Sequence, residues 1–388
     1  MMRYMKLLFP FLFVFTVGLF QVEKPAVEEI TCLDPGNAIG YEYRYEEPVR
    51  PSLKGDVEIP KDWVPQLDYR DMTKPYHQGI SYLDIIPTDD FVWVNAFSLI
   101  YKLEISTGEI STYDLGERAR NLMMTSQGDL WANFRSTKSS TIYRYDEQRD
   151  EFKEVVFHDG EGSTFPGDSD NEDFYHSDDK LIELSPNELW YLYDGKLFRL
   201  DVSELVATLE FDWPPGVFIN QIASGPEKGS LWIVRDYGNA LTVYLYMDSQ
   251  LEIAGYLPSK PFDFPPVDGI ESDNANRLWV SNKAMIEILA DPETGELDPK
   301  HTKTVKILEN RLFIGAHPNF SEVYYSANMA SVLSDGSVWF SSEPGLVRLQ
   351  PETGEWCMVA RGVSSDVAEG PDGSIWFASE GQLYRHGP

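Results

Sequence analysis

The stretch SDGSVWFSSEPGLVRLQPETGEWCMVA, residues 334–360, contains the pattern that decides the fold. A polar turn precedes a strand with tryptophan at its centre, a second apolar strand follows, and a Thr-Gly turn leads into a third. Glycine in such turns permits the positive φ that tight hairpins require. Residues 370–388, GPDGSIWFASEGQLYRHGP, repeat the turn and the first two strands. The sequence therefore predicts a recurring unit of antiparallel strands.

Tryptophan strands of this kind recur along the chain at intervals of 37 to 60 residues. Their tryptophans are Trp93, Trp131, Trp190, Trp232, Trp279, Trp339 and Trp376. Further strands flank them, as in SYLDII (81–86), LIYKLEI (99–105) and ISTYDL (110–115). Repeats of about 40–50 residues with several strands each are typical of propeller blades. We predict an all-β, seven-bladed β-propeller of four-stranded antiparallel blades over residues 60–388.

The tryptophan strands are apolar on both faces. In DGSIWFAS, residues 372–379, Ile375 and Phe377 point to one face and Trp376 to the other. Blades that pack face to face around an axis require two apolar faces, whereas a two-sheet sandwich alternates apolar and polar positions. The pattern favours the propeller.

The last repeat contains an inner strand, a tryptophan strand and a third strand, but no outermost strand. An open sheet edge would leave the ring unfastened. Residues 60–78 precede the first repeat and belong to none. We therefore predict that the portion from Val64 to Arg70 completes the last blade and closes the ring.

The N-terminus resembles a secretory signal peptide, which we assign to residues 1–18. Arg3 and Lys6 precede an apolar run that is short for a bilayer about 30 Å thick. An uncleaved membrane anchor is the alternative interpretation. Residues 19–59 are expected to form a partly disordered arm, and the mature protein to be extracytoplasmic without a membrane span.

The chain is strongly acidic. It has 32 basic and 63 acidic residues and a formal charge of −31. Nucleic acids and anionic lipids are bound by clustered Lys and Arg, and the sequence contains no basic run. We predict no nucleic-acid partner and expect a monomer.

The two cysteines, Cys32 and Cys357, do not have metal-site spacing. In an oxidising compartment they can pair and tether the N-terminal arm to the sixth repeat. Two unpaired thiols, with Cys357 buried in a strand, are the other interpretation.

The last two repeats resemble those of two-component regulator propellers, whose units contain a DG turn, a tryptophan strand and a GL-hydrophobic-Arg strand. They are also similar to streptogramin lyase-like (virginiamycin B lyase-like) propellers. The resemblance covers roughly residues 80–388 and implies either an extracytoplasmic sensor module or an enzyme with a central histidine base and a divalent ion.

The resemblance to the lyases is incomplete at the catalytic position. Glu343 and Glu380 match the acidic position after the tryptophan strand, but Pro344 and Gly381 follow where the lyases have histidine. An imidazole is the usual base for such an elimination because its pKa lies near neutral pH. The sequence therefore assigns no catalytic residue.

Loops that follow the tryptophan strands converge on the funnel in this architecture. The candidate ligand-binding residues there are Arg135, Arg235, Asp236, Tyr237, Asn282, Glu343 and Glu380. Asn95, Asp194 and Lys283 hold similar positions. Solvated turn residues are the plainer interpretation of the same set.

Residues 158–180 form an acidic insertion. Asp168, Asp170, Glu172 and Asp179 have the spacing of oxygen ligands in a calcium loop. However, Asp173 occupies the position where such loops need glycine, and an acidic loop without metal explains the composition equally. A second insertion, residues 307–330, is aromatic. Calcium or magnesium is thus the only cofactor that the sequence suggests.

The sequence as a whole predicts a secreted or periplasmic module that binds a ligand or a protein in a sensor-like role. A small molecule, a glycan and a protein all remain open as its partner. The alternative is a metal-dependent lyase or lactonase with its site at the central funnel.

Overall fold

The structure is a computed structural model. It describes residues 30, 32, 60–68, 84–96, 99–116, 118–135, 140–166, 180–193, 195–213, 218–225, 229–237, 240–247, 250–258, 270–272, 277–280, 284–290, 297–306, 327–342, 345–353, 355–361, 367–379 and 382–387. All regular secondary structure in these residues is β-strand. Among them, no helix has the length and apolarity needed to cross a bilayer. The predicted signal peptide lies outside the described residues.

Three sheets come from the first half of the chain. Sheet 1 contains β2 (Ile85–Pro87), β3 (Phe91–Ala96), β4 (Leu99–Glu104) and β5 (Ile110–Asp114). Sheet 2 contains β6 (Arg118–Met124), β7 (Leu130–Arg135), β8 (Ser140–Asp146) and β9 (Glu151–Glu154). Sheet 3 contains β10 (Phe157–His158), β11 (Thr164–Phe165), β12 (Lys180–Ser185), β13 (Glu188–Tyr193), β14 (Lys196–Asp201) and β15 (Val206–Asp212).

Four sheets come from the second half, together with the N-terminal strand. Sheet 4 contains β16 (Phe218–Ser224), β17 (Leu231–Tyr237), β18 (Ala240–Met247) and β19 (Gln250–Pro258). Sheet 5 contains β20 (Ile270–Ser272), β21 (Arg277–Val280), β22 (Ala284–Ala290) and β23 (Leu297–Lys306). Sheet 6 contains β24 (Ala327–Val332), β25 (Val338–Ser342), β26 (Gly345–Gln350) and β27 (Glu355–Arg361). Sheet 7 contains β28 (Val367–Glu369), β29 (Ile375–Ser379), β30 (Gln382–His386) and β1 (Val64–Asp68).

The first strand of each repeat packs against its counterparts in neighbouring sheets. The contacting pairs are β2 with β6, β6 with β12, β12 with β16, β16 with β20, β20 with β24, and β28 with β2. The backbone N–H of Val367 on β28 also donates to the hydroxyl of Ser331 on β24, at 3.4 Å. These strands are therefore innermost, and the sheets radiate around an axis as in a β-propeller.

Sheet 3 departs from the predicted four-stranded repeat because it has six strands. Residues 157–165, which the sequence analysis placed at the start of the acidic insertion, form the hairpin of β10 and β11. His158 on β10 pairs in parallel with Val206 on β15, so the hairpin extends the outer edge of the sheet. The four-strand prediction is wrong for this sheet because a return strand that the repeat pattern did not mark pairs with the exposed edge.

The repeat motif is held by a chain of polar contacts around tryptophan. Trp376 Nε1 donates to Ser374 Oγ at 2.8 Å, and Ser374 Oγ donates to Asp372 at 2.6 Å. Arg385 donates to the same carboxylate at 2.6 Å, and its guanidinium lies 5.3 Å from the Trp376 ring. Burial raises the pKa of Asp372, but the hydrogen bonds from Ser374 and Arg385 outweigh this effect and lower it overall. The Asp, Ser and Arg of this motif are thus structural.

Two glutamates join neighbouring sheets. Glu183 on β12 accepts hydrogen bonds from the backbone N–H and the hydroxyl of Ser126, at 2.5 and 3.0 Å, in the turn between β6 and β7. Glu369 on β28 accepts the same two bonds from Ser334, at 2.6 and 2.5 Å, in the turn between β24 and β25. Charge-assisted bonds of this kind fix the angle between adjacent sheets.

The N-terminal segment is attached at the seam between sheets 6 and 7. Strand β1 pairs antiparallel with β30, and Val64 lies opposite Arg385. The Trp63 ring is 3% exposed and lies between Trp339 of sheet 6 and Phe377 of sheet 7, with centroid distances of 6.5 and 4.5 Å. A disulfide joins Cys32 to Cys357 on β27, with the Cα atoms 5.4 Å apart. The N-terminal segment therefore supplies the fourth strand of sheet 7 and a covalent link to sheet 6.

Candidate ligand site in the central channel

Antiparallel pairing puts the start of each innermost strand beside the end of a tryptophan strand. In sheet 1 the backbone N–H of Asn95 donates to the carbonyl of Asp84 at 3.0 Å. In sheet 4 Ile219 near the start of β16 lies opposite Arg235 near the end of β17. The predicted funnel residues all follow tryptophan strands, so this end of the channel is the one they belong to.

The described residues cover only part of the predicted funnel. Arg135, Asp236 and Tyr237 end their strands, but their side chains lie outside the described part of the structure, as do Asn282, Glu343 and Glu380 entirely. The side chain of Arg235 donates to the Tyr244 hydroxyl of its own sheet at 3.3 Å. Asn95 is buried and donates to Asp84 at 3.1 Å.

Polar residues also stand on the innermost strands themselves, where the sequence analysis did not look. We call the following five residues the channel belt: Asp84, Asn121, Lys180, Gln221 and Glu271. The first four occupy equivalent positions, each opposite the second residue after a repeat tryptophan. Glu271 lies opposite Trp279 itself, further along its strand. The five residues thus come from the innermost strands, or the residue directly before one, of five neighbouring sheets.

Asp84 uses one carboxylate oxygen to join sheets 1 and 2. Its Oδ2 accepts the Leu122 backbone N–H at 2.7 Å and the Asn95 amide at 3.1 Å. Burial raises the pKa of Asp84, and these two hydrogen bonds together with the charge of Lys180 offset part of the effect. The other oxygen, Oδ1, accepts no hydrogen bond from the described residues.

Asn121 joins sheets 2 and 3 by a similar hydrogen bond. Its Oδ1 accepts the backbone N–H of Leu181 at 3.0 Å, while its amide donates to the Leu122 carbonyl at 3.3 Å. Gln221, the corresponding residue of sheet 4, is 4% exposed. The Asn121 amide is thus fixed by contacts with sheets 2 and 3.

Lys180 and Glu271 carry charges that no described residue pairs. Within the described residues, neither side chain makes a hydrogen bond or an ion pair shorter than 4 Å. The charge of Lys180 nevertheless lowers the pKa of both Asp84 and Glu271, so its ammonium lies within electrostatic reach of both carboxylates. Burial, the larger effect on Glu271, raises its pKa above the ordinary 4.5. Partly desolvated charges without partners are costly, and a ligand that pairs them recovers that cost.

The raised pKa of Glu271 predicts an effect on the free energy of unfolding. A carboxyl whose pKa is raised by folding binds its proton more tightly in the folded state, so its ionisation at neutral pH opposes folding. Glu271→Gln is therefore expected to raise the free energy of unfolding at neutral pH by about 1 kcal/mol. The gain should vanish below about pH 4, where the native carboxyl carries its proton.

Urea unfolding of both proteins at pH 7 and at pH 4 measures this difference. Glu147→Gln, at an exposed turn position, is the matched control and should change neither value. A Glu271→Gln protein less stable than the parent at pH 7 would contradict the assignment of an unpaired carboxylate.

The described part of the chain contains no candidate metal site. No three His, Cys, Asp or Glu side chains among the residues described come together in a group that could hold an ion. The predicted calcium ligands Asp168, Asp170, Glu172 and Asp179 lie outside the described residues, as does the aromatic insertion up to residue 326. The channel belt, with one lysine among two carboxylates, has a donor set that suits an organic ligand better than a metal ion.

The belt positions could have been found from the repeat alignment. Asp84, Asn121 and Lys180 each precede a repeat tryptophan by nine or ten residues. A polar residue there interrupts the apolar inner strand.

Comparison with solved structures gives the class of fold. The chain is similar to the extracellular domain of a one component system protein of B. thetaiotaomicron, at TM-score 0.55 and 15% identity over 84% of this chain and 42% of that one. It is equally similar to the extracellular domain of a hybrid two component system protein of the same organism, at TM-score 0.55 and 14% identity over 85% and 41% of the two chains. This chain therefore spans about two fifths of the length of these proteins.

A third similar structure is an inactive variant of virginiamycin B lyase from Staphylococcus aureus with quinupristin, at TM-score 0.55 and 17% identity over 83% of this chain and 98% of that one. Neither a protein-family model nor a curated protein sequence matches the chain. The chain is thus a β-propeller with the same fold as regulator propeller domains and virginiamycin B lyase, the two groups that its last repeats resemble.

Proposed function

We propose that this protein is an extracytoplasmic β-propeller that binds a small polar ligand in its central channel, at the belt. The observation that supports the proposal is the pair of charges Lys180 and Glu271, on innermost strands two sheets apart, for which the described residues supply no partner. A scaffold gains nothing from isolated, partly buried charges, whereas a binding site does. The Oδ1 atom of Asp84, which accepts no hydrogen bond from the described residues, adds a third polar group directly before an innermost strand.

An extracytoplasmic location is part of the proposal. The similar B. thetaiotaomicron structures are extracellular domains of signalling proteins. The basic and apolar N-terminus and the Cys32–Cys357 disulfide fit an oxidising compartment. Residues 1–18 act as the export signal in this proposal, and the exported protein is a monomer.

The proposed architecture is a closed ring of seven blades, in which the six-stranded sheet 3 serves as one blade. Pairing of β1 with β30 supports closure, because it gives the last blade an outer strand from the opposite end of the chain. A rigid, closed ring keeps the belt side chains at fixed distances across the axis, which a preformed binding site requires.

A binding role fits the belt better than lyase or lactonase chemistry does. No histidine stands at a belt position, and Lys180 places a positive charge where a divalent ion would have to approach two carboxylates. The ligand is therefore held by hydrogen bonds and ion pairs rather than converted.

A thermal-shift screen of the intact protein against sugars, amino acids, small amines and carboxylic acids tests the proposal. We expect at least one class to raise the melting temperature in a concentration-dependent way. The double substitution Lys180→Met with Glu271→Gln should remove that shift, while Glu147→Gln should keep it. A ligand whose shift is the same in the double variant binds elsewhere, and that result would reject the channel as the site.

A further inference from the structure

We propose that the outer edge of sheet 3 binds an extended peptide segment of a second protein, with apolar and basic side chains in alternation, which adds to the sheet as a strand beside β15. This surface is separate from the central channel, because β15 lies three strands away from the innermost strand β12. The inference goes beyond the proposed function and does not depend on it.

Exposed apolar side chains are concentrated at this edge. Among the described residues, seven large apolar side chains are more than a third exposed, and four of them lie here: Val156, Leu205, Val206 and Leu209. The other three lie singly on β1, β5 and β19. The backbone N–H of His158 donates to the carbonyl of Leu205 at 2.9 Å, so the residues that begin β10 and β15 are adjacent. Grouped exposed apolar side chains mark interaction surfaces, whereas single ones are ordinary.

The backbone edge of β15 is open after Val206. Strand β10 pairs with β15 only through His158 and Val206, and the chain then turns and returns as β11. The ring of Phe165 on β11 packs on Phe198 of β14 with centroids 4.2 Å apart, so the hairpin folds over the face of the sheet instead of following its edge. Within the described structure, no strand pairs with the outer side of residues 207–212, a length of about 20 Å.

The sequence of β15 lacks the features that protect other outer strands from pairing. Natural sheet edges are protected by lysine, proline and irregular backbone. The outer strand β23 contains three lysines and a proline, and β19 contains a glycine and ends at a proline. Strand β15, VATLEFD, contains none of these residue types. Its edge is therefore suited to accept a further strand.

The surroundings of this edge are acidic. Glu154, Glu161 and Glu204 are exposed and form no ion pair with the residues described. The basic side chains of β14, Lys196 and Arg199, are each paired with a carboxylate of β15, at 3.6 and 2.7 Å. The negative charge repels nucleic acids, anionic lipids and a second copy of this chain, whose formal charge is −31. It favours a segment that carries lysine or arginine.

The two faces of the edge explain why the segment should alternate. Antiparallel pairing puts Leu209 opposite Phe198 and Val206 opposite Asp201, so Leu209 lies on an apolar face and Val206 lies beside an acidic residue on the other face. In strand addition, the main chain supplies the hydrogen bonds and alternate side chains supply the specificity. Apolar side chains of the added strand would cover Leu209, and basic side chains would meet the acidic face.

Titration of the intact protein with a synthetic peptide tests the proposal. The probe is an eight-residue peptide of alternating lysine and valine, blocked at both ends, and we expect it to bind. The same peptide N-methylated at its four central peptide bonds should bind at least about tenfold more weakly, because it cannot donate to the open edge. A peptide of alternating glutamate and valine should bind at least about tenfold more weakly because its charge is repelled.

Matched variants assign the binding to β15. Leu209→Lys should weaken binding of the basic peptide at least about tenfold, because it removes the apolar contact and adds a like charge. Ile253→Lys on β19 is the control, since Ile253 and Leu209 are both 47% exposed on outer strands. Glu204→Lys should also weaken binding, whereas Glu147→Lys in a turn of sheet 2 should leave it unchanged. Melting curves of the free variants show whether they are folded.

Amide hydrogen exchange supplies the second measurement. The outward-facing amides of residues 207–212 should exchange rapidly in the free protein and slowly with the basic peptide. Protection in the free protein at low concentration would show that this chain covers its own edge, and protection that grows with protein concentration would show self-association. Either result, no binding of the basic peptide, or binding that Leu209→Lys leaves unchanged would overturn the inference, and none of them bears on the channel site.

Discussion

Replacing Trp63 with alanine is expected to lower the free energy of unfolding by about 3–5 kcal/mol, the usual cost of removing a fully buried tryptophan. The indole is almost completely enclosed between Trp339 and Phe377, and it also contacts the His386 ring at a centroid distance of 4.9 Å. No other residue of the N-terminal segment touches aromatic rings of both sheets 6 and 7 among the contacts described. The substitution therefore removes packing at the seam between sheets 6 and 7, where the N-terminal segment is attached.

Guanidinium unfolding followed by fluorescence or circular dichroism measures this effect. Trp213→Ala is the matched control, because Trp213 is only partly buried at the edge of its cluster and should cost about 1 kcal/mol. Amide exchange on β30 should accelerate in the Trp63 variant, since β1 loses its anchor. Equal losses in the two tryptophan variants would show that the seam is not a special point of the ring.

Reduction of the Cys32–Cys357 disulfide is expected to lower the free energy of unfolding by up to about 5 kcal/mol, the limit that loop entropy sets for so long a loop. The two cysteines are 325 residues apart in sequence, so the bond restricts nearly the whole unfolded chain. In the folded state it ties Cys32 to the strand beside Ile30 and Trp63, which share one apolar cluster with sheet 6.

Thermal melts with and without a dithiol reductant give the size of the effect. The double variant Cys32→Ala with Cys357→Ala should melt at the temperature of the reduced protein and be insensitive to reductant. Mass spectrometry that finds two free thiols in exported protein, or identical melts in both redox states, would contradict the expected contribution.

The sequence alone determined the repeat and its strands, apart from the β10–β11 hairpin of sheet 3. The DG turn, the tryptophan and the following Arg are local features, and in the structure they form one contact chain, as in Asp372, Ser374, Trp376 and Arg385. Local features of this kind can be recognised from spacing because turn chemistry and strand alternation act over a few residues. The pairing of the segment from Val64 with the last repeat could also be predicted, because a missing strand in one repeat and an unassigned segment elsewhere are both visible in the sequence.

Contacts between sheets were decided by the tertiary structure. Lys102 shows this most clearly: its ammonium donates to Tyr145 at 2.7 Å, lies 4.4 Å from the Phe91 ring, and contacts Asp150 of the neighbouring sheet at 3.3 Å. Burial, together with the hydrogen bond that Tyr113 donates to Asp150, raises the pKa of Tyr113 to about 12. No spacing in the sequence marks these partners, because they are brought together by the angle between two sheets.

The candidate site also has a part that the sequence predicted and a part that only the tertiary structure shows. The sequence predicted ligand-binding residues after the tryptophan strands, and antiparallel pairing puts the ends of these strands beside the starts of the innermost strands. It did not identify Lys180 or Glu271, because a charged residue on an inner strand has the same appearance in sequence whether it is solvated, paired or isolated. Only the tertiary structure brings these residues, 91 positions apart in sequence, onto innermost strands around one axis, without partners among the residues described.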